Sequence, residues 1–326
     1  MIDFRYHLVS IIAVFLALAI GLAVGSTALS GKAVEFLNSR ERNAVADNAS
    51  LRNANDALTK QLAADQAFAQ AASRRLLQGL LVHEKVVLVV APGADNSVTN
   101  GVATALREAG ATVTGEVNLS QSFLTTTGAN ETNLTQLAQN LAAKTGLAPP
   151  TQSLSQIAGQ QAVAQLLTAS LVDGPAGTGA LSAKATADIM TGLEQYGFVS
   201  AAAMPAPANL AVLVAPGGPP PQSGSEVLVA VATELKQGSD GTVMAGASQS
   251  VGSNSVIYNE NISTDPVSTV DNAETEFGQI MVAQALRYLL EGKQPAEYGI
   301  SSGNAPSPAP TPSPTPSSTV TAGGHP

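Results

Sequence analysis

The residues able to do chemistry are few and scattered. The chain has 326 residues, with three His, five Met and no Cys. His7, His83 and His325 lie far apart, so neither an H-E-x-x-H nor an H-x-H arrangement is present, the local spacings that let imidazoles share one metal. Soft-metal ligation otherwise needs thiolates or clustered thioethers. Met190, Met204, Met244 and Met281 show no M-x-x-M spacing and read as residues that fill irregular core gaps. His83, beside Glu84, reads as a junction residue. Zero Cys rules out a disulfide scaffold, a thiolate zinc site and a thiol nucleophile. The serine elbow G-x-S-x-G is also missing, because Gly246-Ala-Ser-Gln-Ser250 has Ser where its last glycine belongs. No catalytic residue is assigned, and the sequence does not read as an enzyme.

What remains are two Val-Ala-Pro-Gly turns, ending at Gly93 and Gly217. Open α/β sheets bind ligands at the carboxyl ends of their strands. Gly93, Asp95, Asn96 and Gly217 are therefore candidate residues for a small-molecule or phosphate site. The competing reading is a tight turn with Asp95 or Asn96 as a helix N-cap. Neither turn continues as G-x-x-x-x-G-K-[ST] or G-x-G-x-x-G. Asp271 and Asn272 form a third candidate turn. Either one also suits the cap of a last helix over 272–291, and Asp271 with Glu274 has capping-box spacing.

The elements that must hold these turns read as α/β. Lys85–Ala91 is apolar without a break after Lys85, as expected of a strand buried on both faces. A helix over 97–109 and a strand over 111–117 complete a βαβ unit. The pattern recurs: Asn209–Gly217 matches the first strand and its turn, Ala230–Gly238 matches Gly101–Ala109, and Gly241–Gly246 matches the second strand. Two such halves, about 84–118 and 208–248, imply a duplicated βαβ unit and a mostly parallel sheet. Helices are predicted between them over 131–145, 151–172 and 180–196. The external α/β domain is expected to span 84–300.

Charge divides the chain into three parts. Residues 1–85 hold nine Lys/Arg and seven Asp/Glu, residues 86–300 hold six and seventeen, and the tail from Gly303 holds none. The formal net charge of -9 argues against a nucleic-acid partner, which needs clustered Lys and Arg. The acidic body would raise local cation concentration, although such a balance is also that of an ordinary surface.

Leu8–Leu29 carries no charge over 22 residues, about 33 Å as a helix, against a hydrocarbon core of about 30 Å. It exceeds the apolar stretch of a cleaved signal peptide, so a retained transmembrane helix is expected. Arg5 and the α-amine favour a cytoplasmic stub over 1–7, with the bulk of the chain outside, while Lys32, Arg40 and Arg42 pull the other way.

Residues 32–78 contain neither Pro nor Gly. One seven-residue ladder runs Leu37, Ala44, Leu51, Leu58, Asp65, Ala72, and a second runs Glu41, Asn48, Asn55, Leu62, Ala69, Leu76. As d and a positions they predict a coiled-coil stalk and a homo-oligomer through 37–76, with Asn48 and Asn55 favouring a parallel dimer. Glu41 and Asp65 interrupt the seam, and one amphipathic helix packed on its own domain is the alternative. The last segment, 301–326, is rich in Pro, Ser and Thr and reads as a disordered tail.

The opening string, Met1-Ile-Asp-Phe-Arg-Tyr-His-Leu-Val-Ser-Ile-Ile-Ala-Val-Phe-Leu-Ala-Leu-Ala-Ile-Gly-Leu-Ala-Val-Gly25, resembles the start of the actinobacterial MctB family, the mycobacterial copper transport protein B group. The later segments Ser268–Thr275 and Gly278–Leu286, followed by Tyr298-Gly299, resemble it too. The resemblance implies a membrane protein of the cell envelope linked to copper efflux and resistance, in a family described as pore-forming and outer-membrane. Copper enters as a transported ion. No bound cofactor is expected, and metal ligands stay unassigned. The alternatives are a scaffolding envelope protein that binds partners through its coiled coil and α/β domain, and a ligand-binding or hydrolytic domain at the Val-Ala-Pro-Gly turns.

Overall fold

The computed structural model describes residues 4–125, 128–148, 157–174, 181–220, 223–252, 254–261 and 265–300. The chain divides into two compact units, Met1–Asp65 and Gln66–Pro326.

The first unit is helical from Phe4 onward, as part of helix α1, Phe4–Leu77. The stretch over 32–78 lacks helix breakers and is rich in Ala, Leu, Gln and Arg, which propagate a helix well. Tyr6–Gly25 is long and apolar enough to cross a membrane, with a mean hydropathy of 2.8. It overlaps the expected span Leu8–Leu29 over Leu8–Gly25. Beyond it, Leu37, Leu51, Leu58 and Leu62 are all exposed.

The second unit is built on a seven-stranded sheet. Its strands are β1 Lys85–Val90, β2 Thr112–Leu119, β3 Val199–Ala201, β4 Leu210–Val214, β5 Gly241–Ala245, β6 Ser268–Val270 and β7 Glu297–Tyr298. They lie in the order β3-β2-β1-β4-β5-β6-β7, and every neighbouring pair is parallel except β2 with β3. The sheet is open, with β3 and β7 at its edges.

Among the described residues seven α-helices accompany it: α2 Asn96–Glu108, α3 Gly128–Thr145, α4 Ala158–Leu171, α5 Ala183–Gln195, α6 Gly224–Gly238, α7 Val256–Asn261 and α8 Glu276–Leu290. Strand β1 runs to β2 in one direction along the sheet, and β4 runs to β5 in the other. Right-handed crossovers then place the two connecting helices on opposite faces. Accordingly, α2 and α8 cover one face with Leu77, Leu80 and Leu81, whereas α3, α4, α5 and α6 cover the other.

The alternation of each strand follows. Val87 and Val89 join one core while Val86, Leu88 and Val90 join the other. Each fully buried Val or Leu contributes about 1.5–3 kcal/mol, so two opposed apolar layers hold the centre of the sheet.

The three interior helices begin or end within a few residues of expectation, although 151–156 lies outside the described residues. Strands β3, β6 and β7 are too short to show periodicity. Two expectations need correction. The last helix starts at Glu276 rather than 272, and its N-cap is Thr275, whose hydroxyl accepts from the Gly278 amide at 3.1 Å. Asp271 and Asn272 are not its caps, because the chain is still leaving β6 there and buries both residues. Both ladders end close to the body: Ala69 and Ala72 are half-buried, and the neighbouring Ser73 and Leu77, which belong to neither ladder, are buried, while Leu76 stays exposed.

Candidate functional site

The duplicated halves meet on a pseudo-two-fold axis. Strands β1 and β4 are neighbours, β2 and β5 flank them, and α2 and α6 lie on opposite faces. An axis between β1 and β4, parallel to both, exchanges one βαβ unit for the other. This is also where the sheet reverses its winding, the place at which open α/β sheets leave a crevice. Both Val-Ala-Pro-Gly turns therefore come together at the switch point.

They close on each other there. The Ala91 amide donates to Val214 O at 2.9 Å and the Gly217 amide to Gly93 O at 3.0 Å, while Ala94 and Pro216 form an antiparallel bridge. Gly93 has φ +82°, a left-handed conformation that only Gly adopts cheaply. The Ser250 hydroxyl donates to Pro216 O at 2.7 Å and fastens the second turn from behind.

Asp95 and Asn96 follow at once. Asp95 is the N-cap of α2, with its Oδ1 accepting from the Ser97 amide at 2.8 Å. That bond holds its carboxyl below the usual range, because the amide favours the ionised form. Asn96 is the first residue of α2. Thus Gly93 O, Gly217 N and Asp95 Oδ1 are all engaged within the protein. The second turn continues as Gly218-Pro-Pro, with no matching acid.

Asp271 and Asn272 do not join them. They lie at the end of β6, two strands from β4, roughly 10 Å along the sheet. Asp271 Oδ1 accepts from the Ile300 amide at 2.7 Å, so it anchors the chain as it leaves β7. The carbonyl of Asn272 accepts from the Thr275 amide at 3.0 Å and its hydroxyl at 2.8 Å. The Asn272 side-chain oxygen is buried with no hydrogen-bond partner. Next to this turn, Glu274 receives both the backbone amide and the hydroxyl of Ser248. The segment 271–275 is thus a knot of side chain to backbone bonds.

Glu260 had no signal in the sequence. It is fully buried on α7, with Oε1 accepting from the Val267 amide at 2.8 Å and Oε2 unpartnered. Burial pushes its carboxyl up to about 7. The Val267 amide and the charge of Lys236 pull it down, and Asp265 adds to the rise. Lys236 pairs with Asp265 and also donates to Pro266 O at 3.0 Å.

For metals, among the described residues no three His, Cys, Asp or Glu stand close enough to hold an ion. His83 is exposed with φ 72°, at the bend before β1, and His7 is on α1. Met190, Met244 and Met281 are buried within the cores as expected, whereas Met204 is exposed and fills no core gap. His325 lies outside the described residues.

The chain matches the family model described as "Copper transport outer membrane protein, MctB" over residues 1–310. It is 29% identical over 310 residues to proteins named "Copper transporter MctB" from Mycobacterium bovis and Mycobacterium tuberculosis, covering 93% of this chain and 98% of theirs. It is 28% identical over 314 residues to the protein of that name from Mycobacterium leprae, with the same coverage. The match embraces the apolar helix, the heptad ladders and the whole α/β unit, and so the chain belongs to the MctB family.

Proposed function

We propose that this chain is a membrane-anchored envelope component that contributes to copper efflux and so to copper resistance. The observation that carries the reading is the family match over 1–310, supported by relatives named copper transporters along 98% of their length. In this reading copper is cargo, and no resident cofactor is required. On the same reading residues 1–7 are a cytoplasmic stub, 8–29 cross the membrane, 32–78 are a stalk and 84–300 lie outside, while the tail expected over 301–326 lies outside the described residues. The body's excess of Asp and Glu draws cations toward it, and Lys/Arg are sparse enough there not to cancel that field.

The test is cell-associated copper in wild-type, deletion and complemented strains grown in added copper. Accumulation in the deletion, reversed only by the full chain, supports export. Equal copper in all three strains removes the export reading.

One observation favours a second reading, a scaffold without transport activity of its own. Large apolar side chains stand exposed along the stalk, as a partner-binding face requires. Normal copper in the deletion, together with envelope partners recovered on the tagged stalk, would select it.

A further inference from the structure

We propose that the occupant of the exposed stalk face is a second copy of this chain, paired in parallel and in register over residues 37–62. The inference is independent of copper export, because it rests on the first unit alone.

The d positions there are Leu37, Ala44, Leu51 and Leu58, all apolar, and the three leucines are 63%, 65% and 62% exposed. The a positions are Glu41, Asn48, Asn55 and Leu62. This division between the two ladders sets the orientation. In an antiparallel pair, a packs against d, so each Asn would face Leu or Ala and leave its amide unsatisfied. In a parallel, in-register pair, Asn48 meets Asn48 and Asn55 meets Asn55. An amide both donates and accepts, so the two can satisfy each other.

Charge complementarity points the same way. Asp47 occupies a g position and Arg52 the e position of the next heptad. In a parallel dimer these positions flank the seam and pair between chains, giving two symmetry-related Asp47–Arg52 contacts. Neither residue makes an ion pair within the chain, since all four pairs among the described residues lie in the second unit. Glu41 is the one like-charged layer in this span, and Arg40 in the preceding g position neighbours the partner's copy of it. A second copy therefore covers the leucines, satisfies both asparagines and pairs the unpaired charges. A chain of unrelated sequence has no reason to meet all three conditions.

The chain contains no Cys, so single thiols can be placed at will. The full chain is oxidised with diamide in its native membrane. Leu51→Cys, at d, is expected to give a covalent species of twice the chain mass. Asn53→Cys, at the outward f position, is expected to give about fivefold less, since it points away from the seam. Asp47→Arg should lower the Leu51→Cys yield about fivefold by setting like charges opposite each other, and Asp47→Arg with Arg52→Asp should restore it. Equal yields at positions 51 and 53, no self-crosslink at 51, a conjugate with a protein of another mass, or no rescue by the double swap would each overturn the proposal.

Discussion

The amide of Gly217 donates to the carbonyl of Gly93 across 3.0 Å, so each half of the internal repeat ends its first strand against the other. The two turns lie at the sheet's switch point and spend their backbone polar groups on one another. The turns that the sequence offers as candidate ligand loops also clasp the two repeat halves together.

Substitution at this clasp should be asymmetric. Gly93→Ala forces a side chain into a left-handed conformation and should cost about 1–2 kcal/mol. Gly217→Ala meets only Gly93 O, at 3.9 Å from the added Cβ, and should cost under about 0.5 kcal/mol. Pulse proteolysis of the full chain in detergent, at graded urea, measures both. Equal losses would show that the strain lies elsewhere.

Glu260 makes the body's stability depend on pH. Its carboxyl is raised to about 7 by burial, so the folded state holds the proton more tightly than the unfolded one. The associated stability is complete below the unfolded value, near 4.5, and is lost as pH rises to about 7. A separation of this size corresponds to about 3 kcal/mol. Glu260→Gln cannot ionise and can still accept from the Val267 amide. It should flatten the urea midpoint between pH 5 and 8 and raise it most at pH 8. An unchanged slope would mean that Glu260 titrates alike in both states.

Two glycines separate rigid from yielding contacts. A Cβ on Gly278 would lie 2.1 Å from Asn272 O and 2.8 Å from Ala273 Cα, both backbone atoms. Gly278→Ala must therefore displace the β6–α8 turn and should cost more than about 3 kcal/mol. A Cβ on Gly101 would lie 2.2 Å from Gln279 Nε2, at the far end of a flexible side chain whose amide donates there to Ala273 O at 3.2 Å. Gly101→Ala should cost about 1 kcal/mol once Gln279 swings aside. Thermal melting of the two variants in detergent ranks them, and comparable losses would contradict this account of the turn.

Asp95 and Asp271 should act through stability. Asp95→Ala removes the side-chain cap of α2 and should lower stability, by less than the Asp271 change. Asp271→Ala removes the buried carboxylate that accepts from the Ile300 amide and should cost about 1–3 kcal/mol. In complemented strains, copper content should follow the amount of folded protein. Loss of copper control at unchanged abundance would instead make either residue a ligand.

Much of the architecture is written locally. Twenty-two uncharged residues specify a membrane-length helix, because lipid demands internal pairing of every backbone group. The unbroken apolar runs Val86–Ala91 and Leu210–Ala215 specify central strands, because only a strand covered on both faces is apolar throughout. The repeated Val-Ala-Pro-Gly turns reveal the duplication by sequence alone.

Tertiary structure decided what these pieces do to one another. Nothing near Gly93 specifies that its carbonyl will meet Gly217, 124 positions on, since strand order arises from how crossovers pack on a twisted sheet. Asp271 has the spacing of a helix cap, yet pairing of β6 with β5 and β7 carries the chain straight past it, and Thr275 caps instead. Glu260 reads as an ordinary surface acid, because burial is a property of the neighbours that enclose a residue. Local sequence fixes conformational preference and the apolar period. Proximity, burial and the proton affinity that follows from burial belong to the assembled fold.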